Sequence, residues 1–181
     1  VQSKSFDEVL ALSKRAGDMA SCIPSIPPVN PTPGTYRISS TFGRRTDPVT
    51  GRTASHEGVD FACDTGNPIY ATADGVVESV KSEYFGYGKN VLINHGFGYK
   101  TRYAHMDEIS VKVGDRIVRG KYIGTTGNTG KSTGPHLHYE VLYRNSHVNP
   151  YNYYDLTMTP EDYVSLVKPV NSENEAELAS K

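Results

Sequence analysis

The sequence predicts a mainly β fold, an all-β sandwich or barrel-like sheet with one helix at each end. Three observations carry that expectation. Between Tyr36 and Pro150, short β-like runs alternate with glycine-rich turns. No helical periodicity of useful length interrupts them. The 181 residues include 17 Gly, 11 Pro and 13 Tyr, a composition suited to turns and pleated, half-buried surfaces.

Residues 5–20, SFDEVLALSKRAGDMA, read as the N-terminal helix. Ser5 is its expected N-cap, and Asp7 and Glu8 place negative charge in the first turn. Phe6, Val9, Leu10, Ala16, Met19 and Ala20 form a rough apolar stripe, weakened by Gly17. Such a stripe calls for packing against the main body or a partner. CIPSIPPVNPTPG follows, with five prolines and no periodicity, and reads as an extended connector.

The β runs are VDFA, PIYATADGVVESV, KNVLINHG, YKTRYAHM, DRIVRG, KYIGTTG and HLHYEVLY. Asp74-Gly75, Tyr87-Gly88, Gly96 to Gly98 and Gly127 to Gly130 supply turns between them. After NPYNYYDL, Thr159 as N-cap, Pro160 at the first helical position and the acids Glu161 and Asp162 announce a short helix. NSENEAELASK is polar and is expected to fray. The organisation is therefore residues 1–34, helix and connector; 35–150, a β domain; and 151–181, a C-terminal extension.

Composition narrows the function classes. Apolar residues make up 36%, charged residues 22%, and the net charge is −1. Without a basic stripe there is no electrostatic case for nucleic acid. No apolar run approaches the roughly 20 residues of a membrane span, and no signal peptide is recognisable. The start at Val1 rather than Met reads as a fragment or a processed form. Cys22 and Cys63 form no CxxC pair, so a thiolate metal site is not expected. Either a disulfide or two free thiols is compatible with them.

Six histidines carry the chemistry. In STGPHLHYEV, His136 and His138 are two apart on a strand, so they project from one face. In SHEGVDF, His56 and Asp60 flank a turn running into a strand. In YKTRYAHM, alternation places His105 on the face of Tyr103 and Thr101. His95, before Gly96, reads as a turn residue, and His147, in RNSHVNP, as a loop residue; both are taken as structural. Taken together, His56, Asp60 and one histidine of HLH supply two imidazoles and a carboxylate. Three protein ligands and an open position are the make-up of a catalytic zinc site, whereas structural sites are closed by four. The other HLH histidine and His105 then stand beside the metal, where they handle protons or a developing oxyanion.

These stretches resemble the lysostaphin-type, LytM-like zinc endopeptidases that cut bacterial cell-wall peptides. FGRRTDPVTGRTASHEGVDFACDTGNPIYATADGVV, YGKNVLINHGFGYKTRYAHM, VKVGDRIVRGKYIGTTGNTG and STGPHLHYEV carry the likeness, over about Ser39 to Pro150. The resemblance implies a small antiparallel β fold with an open groove, one Zn²⁺ held by His56, Asp60 and His138, and His105 and His136 as catalytic histidines. It implies the peptide part of peptidoglycan as substrate. A tyrosine that some members place before the first ligand histidine is missing between Phe42 and His56; Arg45 and Arg52 are candidate substitutes, Arg45 being equally suited to pair with Asp47. The helix, connector and NPYNYY flanks resemble envelope-anchored homologues of Gram-negative bacteria. They imply a periplasmic or envelope location, other envelope proteins as partners and an anchor upstream of the fragment. The competing reading, from homologues that have lost ligands, is a non-catalytic regulator that binds and activates a cell-wall amidase, with residues 1–34 as partner arm or groove plug.

Overall fold

Period-2 patterning between glycine turns builds the antiparallel sheet. In the structure, a computed structural model describing residues 2–46, 51, 53–155 and 158–167, the strands in chain order are β1 (Arg37–Ser40), β2 (Gly43–Thr46), β3 (Thr53–His56), β4 (Val59–Ala62), β5 (Pro68–Tyr70) and β6 (Gly75–Ser82). They continue as β7 (Lys89–Gly96), β8 (Tyr99–Ile109), β9 (Arg116–Ile117), β10 (Tyr122–Thr126), β11 (His136–Tyr143) and β12 (Ser146–Val148). Among the described residues, ten strands form one sheet with the spine β1-β4-β11-β8-β7-β6-β9; β10 joins β8 and β5, β12 joins β11, and β2 and β3 form a separate hairpin. All strand pairings among the described residues are antiparallel. The mainly β expectation holds, with a helix at each end.

One face of the spine is the core. Phe61 of β4, Tyr103 and Met106 of β8, and Leu137, Tyr139 and Val141 of β11 are buried there. Phe61 packs edge-on against Tyr36 and Tyr139. The hydroxyls of Tyr103 and Tyr139 both meet Thr72, at 3.0 and 2.8 Å, so neither phenol is buried without a partner. The opposite face of β4 and β11 carries Asp60, His136 and His138.

The terminal segments differ from expectation in instructive ways. Helix α1 spans Gln2–Cys22, so Ser5 lies inside it rather than capping it. Its described side chains up to Ala20 are exposed, Val9, Leu10 and Leu12 by 58%, 52% and 65%; the described part of the stripe, from Val9 to Ala20, is not buried against the body. The connector does. Ile26 and Val29 are buried, Tyr70 N–H donates to the Pro28 carbonyl and Ser25 N–H to that of Thr72. Helix α2 (Pro160–Leu166) has Thr159 as N-cap, its hydroxyl accepting from Asp162 N–H at 3.2 Å, as expected. Tyr163 on α2 packs with Ile26 and Tyr70 in a second small core. The polar tail NSENEAELASK lies outside the described residues. No described helix is long and apolar enough to cross a membrane. Cys22 and Cys63 are free thiols.

His95 is a core residue near the end of β7, not a turn residue. Its Nδ1–H donates to the Asp74 carbonyl at 2.7 Å and its Nε2 lies 2.7 Å from Thr101 Oγ1. Burial pushes its pKa from 6.5 down to about 4, although the Asp74 carbonyl opposes that shift. Between those values the unfolded chain binds a proton that the folded chain refuses, so stability falls as pH drops. The shift corresponds to about 3 kcal/mol. Urea unfolding followed from pH 7 to pH 4 is expected to lose stability on this scale, and His95→Gln to flatten the decline. An unchanged slope in that variant would refute the assignment.

Candidate metal centre

Sheet register, more than local sequence, assembles the site. His138 pairs with Asp60 on one side and with Ala104 on the other. Directly opposed side chains on one face of an antiparallel pair are close neighbours, so Asp60 and His138 meet. His56 closes β3, and a turn at Glu57-Gly58 brings it back over β4. That turn runs so close to β11 that a Cβ on Gly58 would sit 2.5 Å from the Tyr139 carbonyl oxygen and 2.8 Å from His138 Cε1. Only glycine fits there.

Three donor atoms converge. His56 Nε2 lies 3.1 Å from Asp60 Oδ1 and 3.1 Å from His138 Nδ1, and His138 Nδ1 lies 2.8 Å from Asp60 Oδ1. Ligands about 2.0–2.1 Å from a tetrahedral zinc stand about 3.3 Å apart, close to this triangle. Tautomers agree with that use. His56 Nδ1–H donates to the Thr41 carbonyl at 2.9 Å, which leaves Nε2 bare. His138 Nε2–H donates to Glu140 Oε1 at 3.0 Å, which directs Nδ1 into the triangle. Two imidazole nitrogens and a carboxylate oxygen, all buried, need a proton or a cation between them.

The electrostatics say the same. Burial would raise Asp60, but hydrogen bonds from His138 and His56 outweigh it and hold the carboxyl well below the usual carboxylate range. Burial would lower His138, yet Asp60 and Glu140 hold it up at about 9. Without metal, a proton therefore occupies this triangle, and a cation binding there displaces it. The donor set fits zinc, which takes imidazole and carboxylate ligands.

His105 and His136 stand beside the triangle, with ring centroids 4.6 Å apart. His136 Nδ1–H donates to the Gly134 carbonyl at 2.8 Å, and its Nε2 lies 3.9 Å from Asp60 Oδ1. His105 Nδ1–H donates to the Thr129 carbonyl at 2.7 Å. Burial pushes His105 down to about 4, against the Thr129 carbonyl and with help from its histidine neighbours, so it is neutral at physiological pH.

His105 reaches the site by a route that alternation does not foresee. It was expected on the face of Tyr103; instead Tyr103 lies in the core and His105 faces the histidines. The β7–β8 register shifts between Lys89↔Met106 and Val91↔Tyr103, and His105 has φ +60°. This is a bulge, one extra residue on β8, and it re-aims the side chain. Parity proves the switch: Tyr103 and Met106, three apart, are both core residues.

The remaining expectations sort themselves. His147 lies in β12, not a loop, with Nε2 3.2 Å from Glu140 Oε2. Arg52, Asp47 and the side chain of Arg45 lie outside the described residues. Sequence reasoning passed over Glu140, although alternation along HLHYE puts it on the face of His136 and His138. It also passed over the carbonyls of Thr41, Thr129 and Gly134, which no side-chain pattern reveals.

A β sheet presenting this donor set beside two further imidazoles points to a class, the metal-dependent hydrolases. Residues 54–150 match Peptidase family M23, and the chain belongs to that family. It is 48% identical over 120 residues to the peptidoglycan DD-endopeptidase ShyA of Vibrio cholerae, covering 66% of this chain and 28% of that protein. It is 45% identical over 114 residues to the DD-carboxypeptidase/endopeptidase Mpg of Neisseria meningitidis, covering 63% and 26%. The chain thus spans about a quarter of the length of these relatives. Among solved structures, a zinc-containing peptidase from Vibrio cholerae is similar with TM-score 0.64 and 44% identity, over 70% of this chain and 39% of that one. The catalytic domain of lysostaphin from Staphylococcus simulans is similar with TM-score 0.59 and 29% identity, over 65% and 90%.

Gly58 offers a test of the assembly. Gly58→Ala forces the His56–Asp60 turn away from β11 while leaving the core face of the sheet untouched. Zinc affinity, read by chelator competition, is expected to fall at least tenfold with an unchanged far-UV circular dichroism spectrum. Wild-type affinity would contradict the packing argument.

Proposed function

We propose that the chain is the catalytic part of a zinc-dependent endopeptidase that cuts peptide cross-links of bacterial peptidoglycan in the cell envelope. The observation that carries this reading is the convergence of His56 Nε2, Asp60 Oδ1 and His138 Nδ1 within 4.8 Å of one another. These three residues would hold one zinc ion. The named relatives supply the substrate class, and the DD-endopeptidases among them direct attention to the D,D cross-link. Their Gram-negative sources favour the periplasm.

Bound zinc supplies a Lewis acid for a carbonyl oxygen and an activated water at neutral pH. The chain's own residues do the rest. His105, neutral and with Nε2 unprotonated because Nδ1 is tied to Thr129, accepts a proton. His136, held by Gly134 through Nδ1, presents Nε2 to the same space. A proton carried there stabilises a developing oxyanion or passes to the departing amine. The amidase-activator alternative draws on homologues that have lost ligands; here all five residues are present and gathered, which disfavours it.

Purified peptidoglycan incubated with the protein, with cleavage products read by mass spectrometry, tests the reading. Cleavage is expected with zinc and is lost with chelator. His138→Ala is expected to lose zinc and turnover together. His105→Ala is expected to retain zinc while turnover falls about 100- to 10,000-fold. Wild-type cleavage by His105→Ala would remove it from the mechanism.

A further inference from the structure

Behind His138 lies a buried carboxylate that the proposed chemistry does not use. Glu140 is completely inaccessible to solvent. Its Oε1 accepts from His138 Nε2–H at 3.0 Å and from the Tyr87 hydroxyl at 2.7 Å. Its Oε2 accepts from Arg102 Nε–H at 3.1 Å and lies 3.2 Å from His147 Nε2. A carboxylate offers about four lone-pair sites, and each has a partner here.

One rival use of this residue can be weighed directly. Glu57, Glu140 and His147 also place ligand atoms within 4.8 Å of one another, as a second cation site would require. Arg102 opposes it. A guanidinium that stays charged in proteins already stands 3.1 Å from the Oε2 that a cation would need. It is itself fixed, donating to Asn90 Oδ1 at 3.1 Å and lying 4.3 Å over the Tyr87 ring. The cluster is built to immobilise a carboxylate, not to capture a metal.

We infer that Glu140 is a positioning residue for the metal centre, acting through His138. A neutral imidazole carries one N–H, and the partner of that N–H decides which nitrogen is left to bind. Glu140 holds the proton on Nε2 and thereby turns Nδ1 toward His56 and Asp60. A carboxylate acceptor also makes the opposite nitrogen a stronger donor. Arg102, Tyr87 and His147 keep the carboxylate in the one orientation that does this. Tyr87 ties the arrangement to the catalytic side as well, because its backbone carbonyl accepts from His105 N–H at 2.9 Å. The inference rests on the metal-centre reading of His56, Asp60 and His138.

The test compares wild type, Glu140→Gln and His138→Ala by zinc competition against a chromophoric chelator, by kcat and KM on a soluble cross-linked peptidoglycan fragment, and by circular dichroism of the metal-free proteins. Glu140→Gln is expected to weaken zinc 10- to 100-fold and to lower kcat, with KM and the metal-free spectrum unchanged. A folded Glu140→Gln with wild-type zinc affinity overturns the inference. If that variant fails to fold, Arg102→Met combined with Glu140→Gln removes the buried charge together with its partner; the same affinity loss then supports the role, and wild-type affinity overturns it. His138→Ala separates the two levels. Should it bind zinc like wild type, the metal-centre reading itself has failed; should it lose zinc while Glu140→Gln keeps it, only the positioning role has.

Discussion

Three buried lone pairs pointing at one another cannot stay as they are. His56 Nε2, Asp60 Oδ1 and His138 Nδ1 stand 2.8–3.1 Å apart, and in a low-dielectric pocket their mutual repulsion has to be relieved by a positive charge. Much of the surrounding structure maintains that frustration rather than removing it. The Thr41 carbonyl and the Glu140 carboxylate each take the N–H of one imidazole, which prevents the nitrogens from satisfying each other. Gly58 lets the turn close over β11 without pushing the donors apart. A proton on His138, held between Asp60 and Glu140, relieves it in the absence of metal, and a cation that binds there takes that proton's place.

His105, the proposed proton acceptor, reaches the same spot through a local irregularity. A regular β8 would send His105 into the core beside Tyr103. The bulge opposite β7 spends a left-handed backbone conformation at His105, a strain of about 1–3 kcal/mol for a non-glycine residue, and changes its face. That strain is held in place by the Tyr87 carbonyl on His105 N–H and the Thr129 carbonyl on its ring. Mobile loops would hold the ring less firmly. A rigid strand with one misplaced residue combines a fixed position with an outward-facing imidazole.

The two kinds of pattern in the sequence differ in what they reveal. Alternation in HLHYEV and VDFA was enough to predict strands and to place His136 and His138 on one face, because one face of each strand is apolar. GRRT and TASH form the β2–β3 hairpin with almost no apolar residues, so no periodicity announces it. The pairing of Asp60 with His138 is a register between segments 78 residues apart; it was legible only as a family resemblance. The parity switch at His105 depends on backbone geometry, which residue types do not encode. His95 was read as a turn residue because Gly96 follows it, yet tertiary burial overrode that local signal.

A sheet that carries polar side chains on one face of β4 and β11 and the core on the other makes demands on the rest of the fold. The core face and the exposed strand edges have to be closed by other means, since an unpaired edge invites further strands. At β5 the proline-rich connector serves this purpose. Pro28 accepts from Tyr70 N–H, and Ser25 donates to the Thr72 carbonyl, so the edge is hydrogen-bonded. Prolines in the connector have no N–H to donate, so the strap covers the edge without becoming a new template. Ile26 then seats against Tyr70 and Tyr163, joining the N-terminal strap to helix α2. A segment that reads in sequence as a linker is thereby part of the folded body, and the hydrogen bonds of Ser25 and Pro28 run to β5, Thr72, Arg119 and Asp155.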